Sequence, residues 1–318
     1  MSTAPSHLSL ALKKKFHSER FALPSAALNY LKNNGELAKT LLSKYISVSE
    51  HYIPSAVTVD VNVASLYEEL YNQHIRFDRP VVLVVDYAMP EMNGLQFCEA
   101  LADLPYKKIM LTGEADYDFA VEAFNLGKID RFVKKTEKNY LAKIQDYIQE
   151  LNIAYFNQLS QGMFDFLGKN GRDVLHSSAF IQKFNELIVE LKIVEFYLAD
   201  DTGSYIFLDQ KGRVGELILR TEDDMHFFAE LAENDGIQSM ANAIAARKQM
   251  PRRLMPSLLN GSDEVILFAQ DWTLCDANAL PDGNKKYYYS VIEDAGFEGH
   301  KETPLSYQQY LYGDAKAA

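Results

Sequence analysis

The stretch Val81–Gly94, VVLVVDYAMPEMNG, restricts the fold more than any other part of this 318-residue chain. Five apolar residues, Val81 to Val85, run without interruption into Asp86. A short apolar run rich in β-branched residues predicts a strand buried on both faces, hence the centre of a parallel sheet. Asp86 then stands at the carboxyl end of that strand, where open α/β sheets place their sites. Met89-Pro90 and Asn93-Gly94 supply turn chemistry before a helix over Leu95–Leu101. Two further runs repeat the pattern. IMLTG, Ile109–Gly113, is an apolar strand ending in the hydroxyl residue Thr112, and IDRFVKK, Ile129–Lys135, is another ending in Lys134.

Asp86, Thr112 and Lys134, at the ends of successive strands and separated by helix-length segments, resemble the receiver domains of two-component response regulators. The resemblance covers roughly residues 7–136 and does not reach the C-terminal half. It implies an α/β fold, a doubly wound parallel sheet, and a role for each residue. Asp86 is the phosphoacceptor, Thr112 the switch hydroxyl, and Lys134 the partner of the acids and then of the phosphoryl group. It also implies Mg²⁺, held by Asp86, the backbone carbonyl of Ala88 and an acidic pair. The implied partner is a histidine kinase or phosphotransfer protein, and the chain is then a cytoplasmic regulator rather than an enzyme. With its insert and its output half, the chain is also similar to the quorum-sensing response regulators of aquatic and intracellular bacteria.

Four departures from the family pattern accompany this. The first strand, which carries the acidic pair, is missing: nothing acidic precedes Glu19, and MSTAP is short and polar. Either the receiver is degenerate and has lost its metal site, or Met1 is an internal start. Retention of Asp86, Thr112 and Lys134 favours the second. Residues 36–80 intervene where the family needs only a few. They carry two helical patterns, Leu37, Leu41, Leu42, Tyr45 and Val48, then Val63, Leu66, Leu70 and Ile75, around VTVDV at Val57–Val61, and predict a helical insertion. The family usually has proline after the lysine, and here that residue is Lys135. Its switch aromatic lies three before the lysine, where this chain has Arg131, with Phe132 beside it.

The remaining segments read as follows. Leu8, Leu12 and Phe16 have helical spacing, and Pro24-Ser25 open a helix through Ala27, Leu28 and Leu31 that Asn33-Asn34-Gly35 should stop. Asp116–Leu126 predicts a helix with Phe119, Ala120, Ala123 and Phe124 on one face, closed by Gly127. Its acids Glu114, Asp116 and Asp118 suit a helix N-terminus and lie on the wrong element to replace the missing pair. From 137 to 168 an apolar stripe, Leu141, Ile144, Ile148, Leu151, Tyr155, Leu159, Met163 and Phe166, predicts a long connector helix and a natural homodimer seam. The expected domains are a receiver over 1–136 with its insertion at 36–80, the connector over 137–168, and an α+β output domain over 172–318.

In that last region a helix over Ser178–Leu191 precedes three hairpin-linked strands, Val194–Ala199, Ser204–Asp209 and Val214–Arg220. Helices over about 222–233 and 236–248, then strands near 264–269 and 286–292, complete it. Net charge is −12 for the chain, of which −10 falls on residues 172–318, and phosphate-backbone binding wants the opposite sign. Direct DNA binding is therefore disfavoured, and the cluster Arg247, Lys248, Arg252 and Arg253 reads as a solvated helix end. Asp200-Asp201 belong to a turn and Asp223-Asp224 to a helix start. His176, His226 and His300 form no ligand pair, and Cys98 and Cys275 no disulfide or zinc motif. Tyr287–Tyr289 read as core and surface rather than a stacking platform. No run is long enough to span a membrane. Two other functions stay open: a phosphorylation-independent pseudo-receiver scaffold, and a nuclease-like or nucleotide-binding C-terminal domain.

Overall fold

The computed structural model describes residues 4–50, 57–61, 70, 76–77, 79–113, 116–167, 176–200, 202–252, 272–295, 304, 306 and 309–310. Two compact units divide the chain: residues 1–42 with 73–158, and residues 43–72 with 159–318.

The first unit is an α/β sandwich. Helix α1 is Ala4–Lys13 and helix α2 is Pro24–Tyr45. A hairpin, β1 (Ile46–Glu50) and β2 (Val57–Val61), follows and falls in the second unit. Then come β3 (Val82–Asp86), α3 (Gly94–Glu99), β4 (Lys107–Thr112), α4 (Tyr117–Asn125), β5 (Arg131–Lys134) and the 28-residue α5 (Tyr140–Leu167). Strands β3, β4 and β5 form a parallel sheet in that order, with Asp86 opposite Leu111 and Thr112 opposite Lys134.

Alternation along the strands divides the core into two layers. Val82 and Val84 pack with Ile109, Leu111 and Val133 against α1 and α5, through Leu12, Ile144 and Leu151. Val85 and Met110 face the other way, against Ala27 and Leu31 of α2, Phe97 and Cys98 of α3, and Ala120 and Ala123 of α4. Helices meet each side of β3, but it stands at the edge of the described three-stranded sheet rather than at its centre, and of its five residues Val85 alone is buried.

Three expectations change here. Asn33-Asn34-Gly35 do not stop α2, which runs 22 residues. A Cβ at position 35 would lie 2.7 Å from Leu104 Cδ2, so glycine makes room for a core leucine, at the usual helix-interior cost of about 1 kcal/mol. The insertion is not wholly helical: Val48 lies in β1 and VTVDV is β2, antiparallel to it. Leu70 is helical and buried, whereas Val63, Leu66 and Ile75 lie outside the described residues. The stripe on α5 is not a free seam along its first half, because Ile144 and Leu151 are buried in the unit's own core.

The second unit is an antiparallel α+β layer. Helix α6 (Ser178–Glu190) leads into β6 (Ile193–Leu198), β7 (Tyr205–Asp209) and β8 (Val214–Thr221). Then come α7 (Glu222–Asn234), α8 (Gln238–Ala245), β9 (Gln249–Pro251), β10 (Leu274–Asp276), β11 (Asn278–Asp282) and β12 (Lys285–Ile292). The main sheet has the order β11-β12-β8-β7-β6. The expected strand at 264–269 lies outside the described residues, and β9, β10 and β11 were not expected.

Phe180 and Phe184 of α6 stack on Tyr205, while Met225 and Phe228 of α7 pack with Ile218 and Tyr288. Tyr287 and Tyr288 are both buried. A Cβ on Gly215 would lie 2.2 Å from the Phe207 ring opposite it, so the strand glycine seats an aromatic. Asp200 opens the expected turn and is buried in it: it pairs with buried Arg220 at 3.1 Å and accepts from the Thr202 and Ser204 N–H groups. Asp224 completes a capping box with Thr221 at the start of α7.

Candidate functional site

Asp86, Thr112 and Lys135, the residue that follows β5, come together because parallel strands of matched register end at one edge. The loop after Asp86 is tightly specified. Tyr87 N–H donates to the Leu111 carbonyl at 2.8 Å, and Gly94 N–H to the Tyr87 carbonyl at 2.8 Å. A Cβ on Gly94 would stand 2.6 Å from the Asp86 carbonyl oxygen, so only glycine lets α3 start this close to the strand end. Asn93 and Gln96 form a capping box that anchors that start. Glu91, in the left-handed region at φ 67°, accepts Ser25 N–H at 3.1 Å and so ties the loop to the N-terminus of α2.

Asp86 is about a third exposed. Its Oδ1 accepts the Ala88 N–H at 3.2 Å. Both carboxylate oxygens lie 2.6 Å from the Nζ of Lys135. This corrects the sequence assignment, which put Lys134 there. The ammonium of Lys134 instead lies 3.8 Å from the centre of the Tyr117 ring.

The reason is strand parity. Val82, Val84 and Asp86 share one face of the sheet; opposite them stand Ile109 and Leu111, and beyond those Arg131 and Val133. Lys135 continues that face, whereas Lys134 falls with Phe132 on the other. The same parity count was available in the sequence. Shifting the lysine by one also removes a departure from the family pattern. The residue three before Lys135 is Phe132, which meets Tyr117 and Phe124 edge-on at 5.5 and 5.8 Å. The position after the lysine becomes Thr136.

Thr112 is fully buried, and its Oγ1 donates to the Gly113 carbonyl at 2.8 Å. Arg131 forms an ion pair with Glu150 of α5 and lies over the Tyr147 ring. The expected apolar face of α4 is split. Ala120 and Ala123 are buried, but Phe119 and Phe124 are 52% and 41% exposed, Phe119 being stacked on Tyr87.

A divalent cation of the Mg²⁺ type takes six oxygen donors, commonly one or two carboxylates with water and phosphate oxygens. Here Asp86 presents one carboxylate, already in contact with the Lys135 ammonium. No cluster of three ligating side chains occurs among the described residues. Those residues therefore do not make a complete cation site. The second unit presents no such cluster among its described residues either. Its thiol Cys275 is raised in pKa by burial, and that of Cys98, in the first unit, is pushed up to about 12 by burial, so neither is primed as a nucleophile.

Comparison with known proteins agrees with this geometry. Residues 45–146 match the response regulator receiver domain. The match begins later than the 7–136 expected, although α1 and α2 pack on the same sheet. The chain is similar to the Legionella pneumophila response regulator LqsR, at 29% identity and a TM-score of 0.68, over 96% of this chain and 90% of that one. It is also 34% identical, over 36% of its length, to protein-glutamate methylesterase/protein-glutamine glutaminase 3 of Burkholderia thailandensis. With enzyme 1 of the same name from Dechloromonas aromatica it shares 30% identity over 37% of its length. It spans 30% and 33% of those two proteins, about a third of each.

Proposed function

We propose that this chain is a response regulator of a two-component phosphorelay. Asp86 takes a phosphoryl group from the phosphohistidine of a partner kinase or phosphotransfer protein. The observation that supports this most is the ammonium of Lys135 on both oxygens of a strand-end carboxylate, in a segment that matches the receiver domain.

In the proposed step one Asp86 oxygen attacks phosphorus as the P–N bond to the imidazole breaks. The imidazole leaves as a neutral ring after taking up a proton, and an acyl phosphate remains. Lys135 is already positioned to offset charge on the oxygens that surround phosphorus, and the Ala88 N–H donates to the carboxylate that becomes the acyl phosphate. Thr112 would turn from the Gly113 carbonyl to a phosphoryl oxygen. Phe132, packed between Tyr117 and Phe124, is then the aromatic that follows it. Receiver domains typically use Mg²⁺ at this point. Asp86 and the Ala88 carbonyl would be its donors here, and no cluster of ligating side chains among the described residues completes the set.

The output is assigned to the second unit. No DNA target is proposed for it, given its negative charge. The partial matches to methylesterases do not extend beyond the receiver, so no esterase activity is carried over. No helix among the described residues is long and apolar enough to cross a membrane, and a cytoplasmic regulator is the reading adopted. A homodimer belongs to the same reading, supported by Phe119, Phe124 and Leu126, exposed on and just beyond α4. Signalling of the quorum-sensing kind is the narrower version of this proposal.

The incomplete donor set favours one rival, a pseudo-receiver scaffold that works without phosphorylation. Incubation with acetyl phosphate and Mg²⁺, read by intact mass, separates them. The phosphorelay reading expects one added phosphoryl group that Asp86→Asn abolishes. No gain, or a gain that survives Asp86→Asn, leaves the scaffold.

A further inference from the structure

Lys134, the last residue of β5, and Lys135 just beyond it have equal length and charge, and only Lys135 is seated on Asp86. A slip of one residue would exchange them, because neighbouring residues on a strand point to opposite faces. Something must hold the turn after β5 in register. The sheet supplies one anchor: Lys135 N–H donates to the Thr112 carbonyl at 3.0 Å. The other anchor is Glu137. Its N–H donates to the Lys134 carbonyl at 3.2 Å, and its Oε1 lies 3.4 Å from the Lys134 N–H. Its carboxylate is held in turn by the ammonium of Lys143, at 3.0 and 3.2 Å, from the first turn of α5.

The backbone on both sides of Lys135 is thus clamped, by the sheet and by a glutamate that is itself fixed to a helix. The position where the family pattern has a rigid proline is Thr136, which brings no such restriction of its own.

We propose that Glu137, with Lys143 as its counter-ion, is a positioning residue for the Asp86 site. It holds the turn so that Lys135, and not Lys134, is presented to the carboxylate. The proposal rests on the reading of Asp86 as phosphoacceptor only for its consequence, not for the geometry. The electrostatics agree. The hydrogen bond from Lys143 holds the Glu137 carboxyl below the usual carboxylate range, and the same contact raises the Lys143 ammonium. The clamp is therefore intact through the neutral range.

A water-soluble carbodiimide tests this on the full chain. It condenses a carboxylate with an amine in contact with it, with loss of one water, and peptide mass mapping identifies the pair. The wild-type chain is expected to join Asp86 to Lys135. In Glu137→Ala and in Lys143→Met that product falls several-fold, and the share joined to Lys134 rises. Glu137→Gln, which keeps an acceptor for the backbone N–H but loses the ion pair, falls between them. Phosphoryl uptake from acetyl phosphate drops in the same order. An unchanged Asp86–Lys135 product in both Glu137→Ala and Lys143→Met overturns the proposal. If coupling shifts as expected while the wild-type chain takes up no phosphoryl group, the positioning stands and the phosphoacceptor reading fails.

Discussion

Replacing Lys135 and Lys134 one at a time by methionine tests the parity argument most sharply, because stability will not tell the two apart and chemistry will. The Lys135–Asp86 pair has side chains 28% and 30% exposed, so it sits nearer to surface pairs than to buried ones. Surface pairs contribute about 0.2–1 kcal/mol, whereas breaking a fully buried pair costs about 3–5 kcal/mol. Lys135→Met should therefore cost about 1 kcal/mol. Lys134→Met loses a cation–π contact with Tyr117, about 0.5–1 kcal/mol. In melting temperature each is a shift of about 2–4 °C for a unit of this size, too similar to discriminate. The phosphoryl group is another matter. Removing one preorganised donor from a developing charge typically costs about 10²–10³ in rate. The initial rate of uptake from acetyl phosphate, followed by intact mass, should fall about 100-fold in Lys135→Met. It should stay within about 3-fold of wild type in Lys134→Met, the scale of a lost peripheral contact. Equal losses, or a larger loss from Lys134→Met, would refute the parity argument.

Three other outcomes follow from the packing and the charges. Gly94→Ala forces a Cβ to within 2.6 Å of the Asp86 carbonyl, so it should cost about 1–3 kcal/mol in urea denaturation and depress phosphoryl uptake; a neutral substitution would mean that α3 moves freely. Arg220→Met strands the buried Asp200 carboxylate, and a loss of about 3–5 kcal/mol is expected in the same assay, against under 1 kcal/mol if the pair is dispensable. Glu222 has its pKa lowered, first by the hydroxyl of Tyr288 (2.6 Å) and then by Arg247, so its contribution is present above the unfolded carboxylate pKa and is lost as pH falls through the folded value. Glu222→Gln should flatten the loss of stability as pH falls below the ordinary glutamate pKa of about 4.3, and an unaltered profile would contradict the assignment.

Much of the first unit was legible because its signals are local. An uninterrupted Val81–Val85 run, rich in β-branched residues and followed by turn residues, reads as a strand with helices on each side, though its place at the edge of the described sheet was not legible. The hydroxyl of Thr112 closes a second such run. Lys135 was legible too, by counting parity from Val133, but the motif order drew attention to the first lysine. Gly35 was misread because its reason lies in the side chain of Leu104, far away in sequence. The hairpin of β1 and β2 was hidden because Val48 also fits a helical spacing, and short apolar alternations are ambiguous between the two periods. In the second unit the hairpin turns announced themselves through Gly203 and Gly212, which the structure holds at positive φ, whereas the three-residue strands β9 and β10 are too short to show a period. The buried state of Asp200 depends on Arg220, which no local pattern reveals.

The central claim is that Asp86, seated under Lys135, is the residue that carries the phosphoryl group. Borohydride reduces an aspartyl phosphate to homoserine, so reduction of the chain after exposure to acetyl phosphate and Mg²⁺, followed by peptide sequencing, reads the site directly. The account expects homoserine at position 86 in wild type and far less of it in Lys135→Met. Homoserine at another acid, or none in the wild-type chain, would contradict it.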